Sequence, residues 1–138
     1  MADFRVDQAA GLRRLLGGGQ FQVVTFAAGC DGVGRSIALA NIGVALARLG
    51  KEVMVVDEHS SADDVAASFG LSARYDLLQV IQRERRLADV LLHPLPGLSI
   101  LPAARAVKKL GKLSLGQQQA LLDGVSGLER PVDVILID

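Results

Sequence analysis

Eight residues, Gly29-Cys-Asp-Gly-Val-Gly-Arg-Ser36, sit between an apolar run at 21–28 and a helical pattern at 36–49. A strand, a glycine-rich turn and a helix in that order constrain the fold strongly. The turn can aim successive backbone N–H groups at one point, where the helix macrodipole also favours an anion. Gly29, Gly32 and Gly34 permit the backbone angles that such a turn needs. The spacing is that of a phosphate-binding loop, G-x-x-x-x-G-K-[ST], with Arg35 at the lysine position and Ser36 as the hydroxyl that would reach Mg²⁺. Gly29, Cys30, Asp31, Gly32, Val33, Gly34, Arg35, Ser36 and Ile37 are therefore the candidate nucleotide-binding residues. The alternative is a ligand-free turn joining a strand to a helix.

Apolar runs rich in Val and Ile recur at 21–28, 52–57, 98–102 and 132–138. Continuous rather than alternating apolarity suits strands buried on both faces, as in a parallel sheet with helices on each side. Ala62–Phe69, Asp76–Gln82 and Leu87–Leu92 read as short helices, and Leu115–Val125 as another entered through Ser114 as N-cap. The expected fold is α/β, a mostly parallel sheet flanked by helices. The last run, Asp133-Val-Ile-Leu-Ile-Asp138, has the pattern of a Walker B strand, making Ser36 and Asp138 the candidate metal-associated residues. Open α/β domains normally continue beyond such a strand, so the chain reads as the N-terminal portion of a longer domain with one flank of its sheet exposed.

Ahead of the first strand, Asp7-Gln-Ala-Ala-Gly-Leu-Arg-Arg-Leu-Leu16 forms a separate amphipathic element, closed by Gly17, Gly18 and Gly19. Ala9, Leu12, Leu15 and Leu16 share one face, and Asp7 can cap the helix. About ten residues make a marginal helix in water. It either packs back on its own domain or meets a partner, and residues 1–19 and 20–138 are read as two units. With 15 basic and 15 acidic residues, net charge gives no reason to expect nucleic acid or an anionic membrane as partner. The stretches Arg83, Arg85, Arg86 and Arg105, Lys108, Lys109, Lys112 read as solvated helix faces. A single Cys excludes an internal disulfide, and neither a secretory leader nor an apolar run near the ~20 residues of a membrane helix is present. A cytoplasmic protein is expected.

These residues resemble the MinD/ParA class of P-loop ATPases, and within it the FlhG (FleN) family of flagellar-number regulators. Asp7-Gln-Ala-Ala-Gly-Leu-Arg13 is similar to the D-Q-A-x-x-L-R element with which that family stimulates the GTPase FlhF. The loop 29–36 is similar to the deviant Walker A form K-G-G-x-G-K-[ST]. Val55 to Leu71 follows V-V-D-A-D-x-G-x-A-N-x-D-x-x-L-G-L in register, and Gly97-Leu-Ser-Ile-Leu-Pro-Ala103 and Asp133–Asp138 follow the family's G-L-x-I-L-P-A and Walker B strands. The resemblance implies ATP or ADP with Mg²⁺ as cofactor. It implies an FlhF-like GTPase as partner through Asp7, Gln8, Ala9, Leu12, Arg13 and Leu16, and a homodimer. Recruitment to the cell pole or inner membrane surface, and membrane association through residues beyond this chain, are further implications.

The departures from that pattern fall on the chemistry. Cys30 stands at the family's signature lysine, Asp31 at a glycine, Arg35 at the Walker lysine, and His59 at the second carboxylate of D-x-D, while Asp63-Asp64 replaces Ala-Asn. A guanidinium is planar and wider than a compact ammonium, and imidazole is a poor substitute for a carboxylate. Asp57 and His59 occupy the family's catalytic positions, yet the pattern points to a pseudo-ATPase whose nucleotide binding is weak or lost. The expected function is regulation of flagellar number by contact with FlhF. A slow MinD-like ATPase, or an accessory of another surface machine such as polysaccharide secretion, are the alternatives.

Overall fold

The computed structural model describes residues 21–26, 34–59 and 64–138. The expected partner-binding residues Asp7, Gln8, Ala9, Leu12, Arg13 and Leu16 lie outside the described residues, as does the loop from Gly29 to Val33. The elements run β1 (Gln22–Thr25), α1 (Arg35–Arg48), β2 (Val53–Asp57), α2 (Val65–Ser68), α3 (Leu77–Ile81) and α4 (Leu87–Val90). There follow β3 (Leu92–Leu95), β4 (Leu98–Pro102), α5 (Val107–Leu110), α6 (Leu115–Ser126) and β5 (Val134–Ile137).

The strands form one sheet in the order β1-β5-β2-β4-β3, with β1, β5, β2 and β4 parallel and β3 antiparallel to β4. Register fixes which residues share a face. Val24, Leu136, Val55 and Ile100 stand side by side across one face. There they meet Leu39 and Ala40 of α1 and Val65 and Ala66 of α2. Val23, Ile135 and Met54 form the row one residue earlier, on the opposite face. They belong to the cluster that includes Leu77, Leu87, Leu110, Leu121 and Val125. Both faces are covered, which is why these strands read as continuous apolar runs.

Local chemistry starts the helices. Asp64 Oδ1 accepts from Ala67 N at 2.7 Å, and Asp76 and Ser114 each form a capping box, with Gln79 and Gln117. The expected strands at 21–28 and 132–138 are shorter, Gln22–Thr25 and Val134–Ile137. A correction concerns the segment after α4: the expected helix Leu87–Leu92 ends at Val90, and Leu92 begins β3, in which His93 lies exposed. Pro94 is tolerated because β3 is an edge strand, and Pro96-Gly97 with Gly97 at φ 85° makes the turn into β4.

Candidate nucleotide site

Parallel strands direct their carboxyl ends to one edge of the sheet, and ligand sites in open α/β sheets lie there. Here β1, β5 and β2 deliver Phe26, Asp138 and Asp57 to that edge, facing the N-terminus of α1. Backbone bonds fix the level: Phe26 N donates to Ile137 O and Asp138 N to Val56 O, both at 2.9 Å. Gly34, at φ 73°, turns the chain into α1, a conformation that glycine adopts without steric cost. Arg35 and Ser36 then stand in the first turn above the strand ends.

The structure brings Arg35, Ser36, Asp57, His59 and Asp138 together. Arg35 Nε donates to Asp138 Oδ1 at 2.5 Å, and Ser36 Oγ donates to Asp138 Oδ2 at 2.8 Å. Asp138 thus has both carboxylate oxygens engaged, and its side chain is fully buried. Arg35 Nη2 also donates to His59 Nε2. His59 Nδ1 lies 3.9 Å from Asp57 Oδ1 and 3.7 Å from Asp138 Oδ2, so the ring sits between the two carboxylates and the guanidinium. Asp57, 3 % exposed, is held by backbone donors, His59 N to Oδ1 at 3.1 Å and Val65 N to Oδ2 at 2.8 Å. Ile37 is 62 % exposed, and Gly29 to Val33 lie outside the described residues.

Burial is the main force on the carboxylates. It pushes the Asp57 pKa up to about 6 against the two backbone donors, with Asp138 and Asp64 adding repulsion. Glu58 is also pushed up to about 6, first by burial and then by Asp138, with Arg35 opposing. Its Oε1 is buried without a hydrogen-bond partner among the described residues. Glu58 was not among the expected site residues. The signal was in the sequence, since a carboxylate stands where the V-V-D-A-D pattern has alanine.

Asp57, His59 and Asp138 offer atoms that all lie within 4.8 Å of one another, a donor set with the composition of a divalent-cation site. Ser36 beside Asp138 also has the chemistry of a Mg²⁺ hydroxyl–carboxylate pair. The arrangement nevertheless does not fit Mg²⁺–nucleotide as it stands. The Arg35 guanidinium is seated on Asp138 and His59, whereas Ser36 Oγ, though it donates to Asp138, keeps its lone pairs for a cation. A cation could use this carboxylate only after Arg35 moved.

No family model matches the chain. It is 33 % identical over 117 residues to the antiactivator FleN of Pseudomonas aeruginosa, matching 85 % of this chain and 42 % of FleN. The MinC:MinD cell division complex of Aquifex aeolicus superposes with a TM-score of 0.64 at 28 % identity, over 85 % of this chain and 46 % of that one. Cobyrinic acid a,c-diamide synthase of Mycobacterium smegmatis, solved with an ATP analogue and magnesium, shares the fold at a TM-score of 0.62 and 23 % identity, over 86 % of this chain and 50 % of the synthase. The chain spans about half the length of the relatives it matches. By sequence and by fold it is a homologue of FleN and MinD, in the MinD/ParA class of P-loop ATPases.

Proposed function

We propose that this chain is a regulatory domain of the FlhG type that works by protein contact and handles nucleotide weakly or not at all. One observation carries the reading: the Arg35 guanidinium bridges Asp138 and His59, so the domain supplies from its own chain the positive charge that Mg²⁺ and the Walker lysine would bring. Phosphoryl transfer depends on that charge being presented to phosphate oxygens, and the loss of one such group costs about three or more powers of ten in rate. Here it is spent on internal carboxylate. The segment Asp7–Leu16 is the surface offered to a GTPase resembling FlhF, with Leu12 and Leu16 as apolar anchors and Asp7, Gln8, Ala9 and Arg13 beside them.

Calorimetric titration with Mg²⁺–ATP tests the nucleotide half. The wild type is expected to bind weakly without measurable turnover. The triple variant Arg35→Lys, His59→Asp, Cys30→Lys is expected to bind at least about tenfold tighter, a gain of ~1.4 kcal/mol. Tight binding and steady turnover by the wild type would support instead a slow ATPase, a reading that the retained Ser36–Asp138 pair favours. The partner half is tested with Leu12→Asp. It should weaken a complex with the GTPase by ~2 kcal/mol or more, because it places a charge in an apolar contact.

A further inference from the structure

On the face of the sheet opposite α1, the start of α3 gathers cations that the nucleotide site does not use. From Arg74 to Lys112 the chain carries eight basic residues against three acidic ones, although its total charge is zero. Two of those three carboxylates are already engaged. Asp76 is buried and accepts from Leu78 N at 2.9 Å and Arg105 N at 3.0 Å, and Asp89 pairs with Arg86 at 3.3 Å. Glu84 stays exposed. Arg74, Arg85 and Arg105 have no ion pair among the described residues.

Tyr75 organises this corner. Its ring is half-buried and packs on the cluster that holds Leu77 and Leu121. The Arg85 guanidinium lies 4.4 Å and the Arg74 guanidinium 5.5 Å from the ring centroid, within the range of a cation–π contact. Arg105 Nη2 donates to Gln79 Oε1 at 3.4 Å, one turn along α3. Lys108 and Lys109 follow in α5, both exposed. Backbone geometry sets the arrangement. Arg83, at φ 61°, is the one residue other than glycine with a positive φ among the described residues. It stands just past α3, where glycine is the usual occupant and a side chain meets steric resistance. This left-handed residue turns the chain so that Glu84 N and Arg85 N both reach Gln79 O, at 2.9 and 3.2 Å, which seats Arg85 over Tyr75.

We propose that this corner binds an acidic segment of a protein partner, whose carboxylates are taken by Arg74, Arg85 and Arg105. A guanidinium stacked on a ring keeps its N–H edge free, and that planar fork matches a carboxylate. Stacking also removes part of the side-chain freedom that binding would otherwise have to freeze. Because the ring lies half-buried under guanidinium groups, it offers no open platform for a nucleobase. Glu84 would meet the continuous negative charge of a nucleic-acid backbone or an anionic bilayer, whereas a peptide can set an uncharged residue opposite it. Such a contact presupposes a domain that works by protein contact, and its experiment uses neither nucleotide nor the GTPase, so each reading can fail alone.

Fluorescence anisotropy of the full chain with a labelled octapeptide of alternating Asp and Ser reads the contact. Binding is expected at low ionic strength and should weaken as salt rises. Arg85→Glu and Arg105→Glu should each weaken it at least about tenfold. Tyr75→Leu, which keeps apolar packing but removes the stacking surface, should weaken it about threefold. Arg48→Glu, at an exposed position on α1 across the sheet, is the control and should leave it unchanged. Circular dichroism establishes that each variant is folded; should Arg105→Glu disturb the Asp76 contacts, Arg85→Glu decides. No binding up to about 1 mM peptide, no loss in Arg85→Glu, or an equal loss in Arg48→Glu would overturn the proposal. So would duplex DNA or phosphatidylglycerol vesicles that bind as tightly as the peptide through the same arginines, which would assign the corner to a phosphate polymer or a lipid surface.

Discussion

Arg35 and Glu58 show how single residues reset this site. A Walker lysine is a point charge on a flexible stem, whereas Arg35 has a planar fork that can engage a carboxylate and an imidazole together, as it does with Asp138 and His59. Glu58 adds a carboxylate with one buried oxygen that has no hydrogen-bond partner among the described residues. Because burial raises its pKa to about 6, folding favours the protonated form. Its stabilising effect is full below about pH 4.5 and is lost as pH rises through about 6, so the fold should weaken between pH 5 and 7. Glu58→Ala should flatten that fall and raise stability at pH 8 by about 1 kcal/mol, after allowance for partial exposure. Urea unfolding at pH 5 and pH 8 checks this, and an unchanged difference between the two would refute it.

Among the elements, α1 is set by how closely it approaches the sheet. A Cβ on Gly43 would stand 3.1 Å from Leu98 Cδ1 on β4. Gly43→Val should therefore overpack the α1–β4 contact and cost ~1–3 kcal/mol. Gly111, at the end of α5 with φ −77° and no atom within 4 Å of an added Cβ, is the control. Gly111→Ala should be neutral or stabilise by up to ~1 kcal/mol by restricting the unfolded chain. Thermal unfolding of the pair decides the matter: equal effects would mean that Gly43 is not held by packing.

At the scale of the whole molecule, both hydrophobic clusters share one sheet, and β5 contributes Ile135 and Ile137 to one and Leu136 to the other. Ile135→Ala and Leu136→Ala should each lower a single cooperative transition by ~2–5 kcal/mol; two separable transitions would show that the faces unfold independently. No helix among the described residues is long and apolar enough to cross a membrane. The sequence by itself determined much of this. Continuous apolar strands, the glycine-rich turn and the Ser114 cap are local or periodic signals, so the parallel sheet, α1 and the start of α6 were legible, whereas placing Asp57 and His59 with Arg35, Ser36 and Asp138 rested on the family resemblance and not on any local signal. Short elements were less legible: β3 has only four residues, two of them ordinary helix formers beside a proline, and its pairing with β4 supplies what its composition lacks. Only the tertiary structure decided where Arg35 places its charge. A hydrogen bond between residues 103 positions apart has no sequence period, and it forms because β5 ends beneath the first turn of α1.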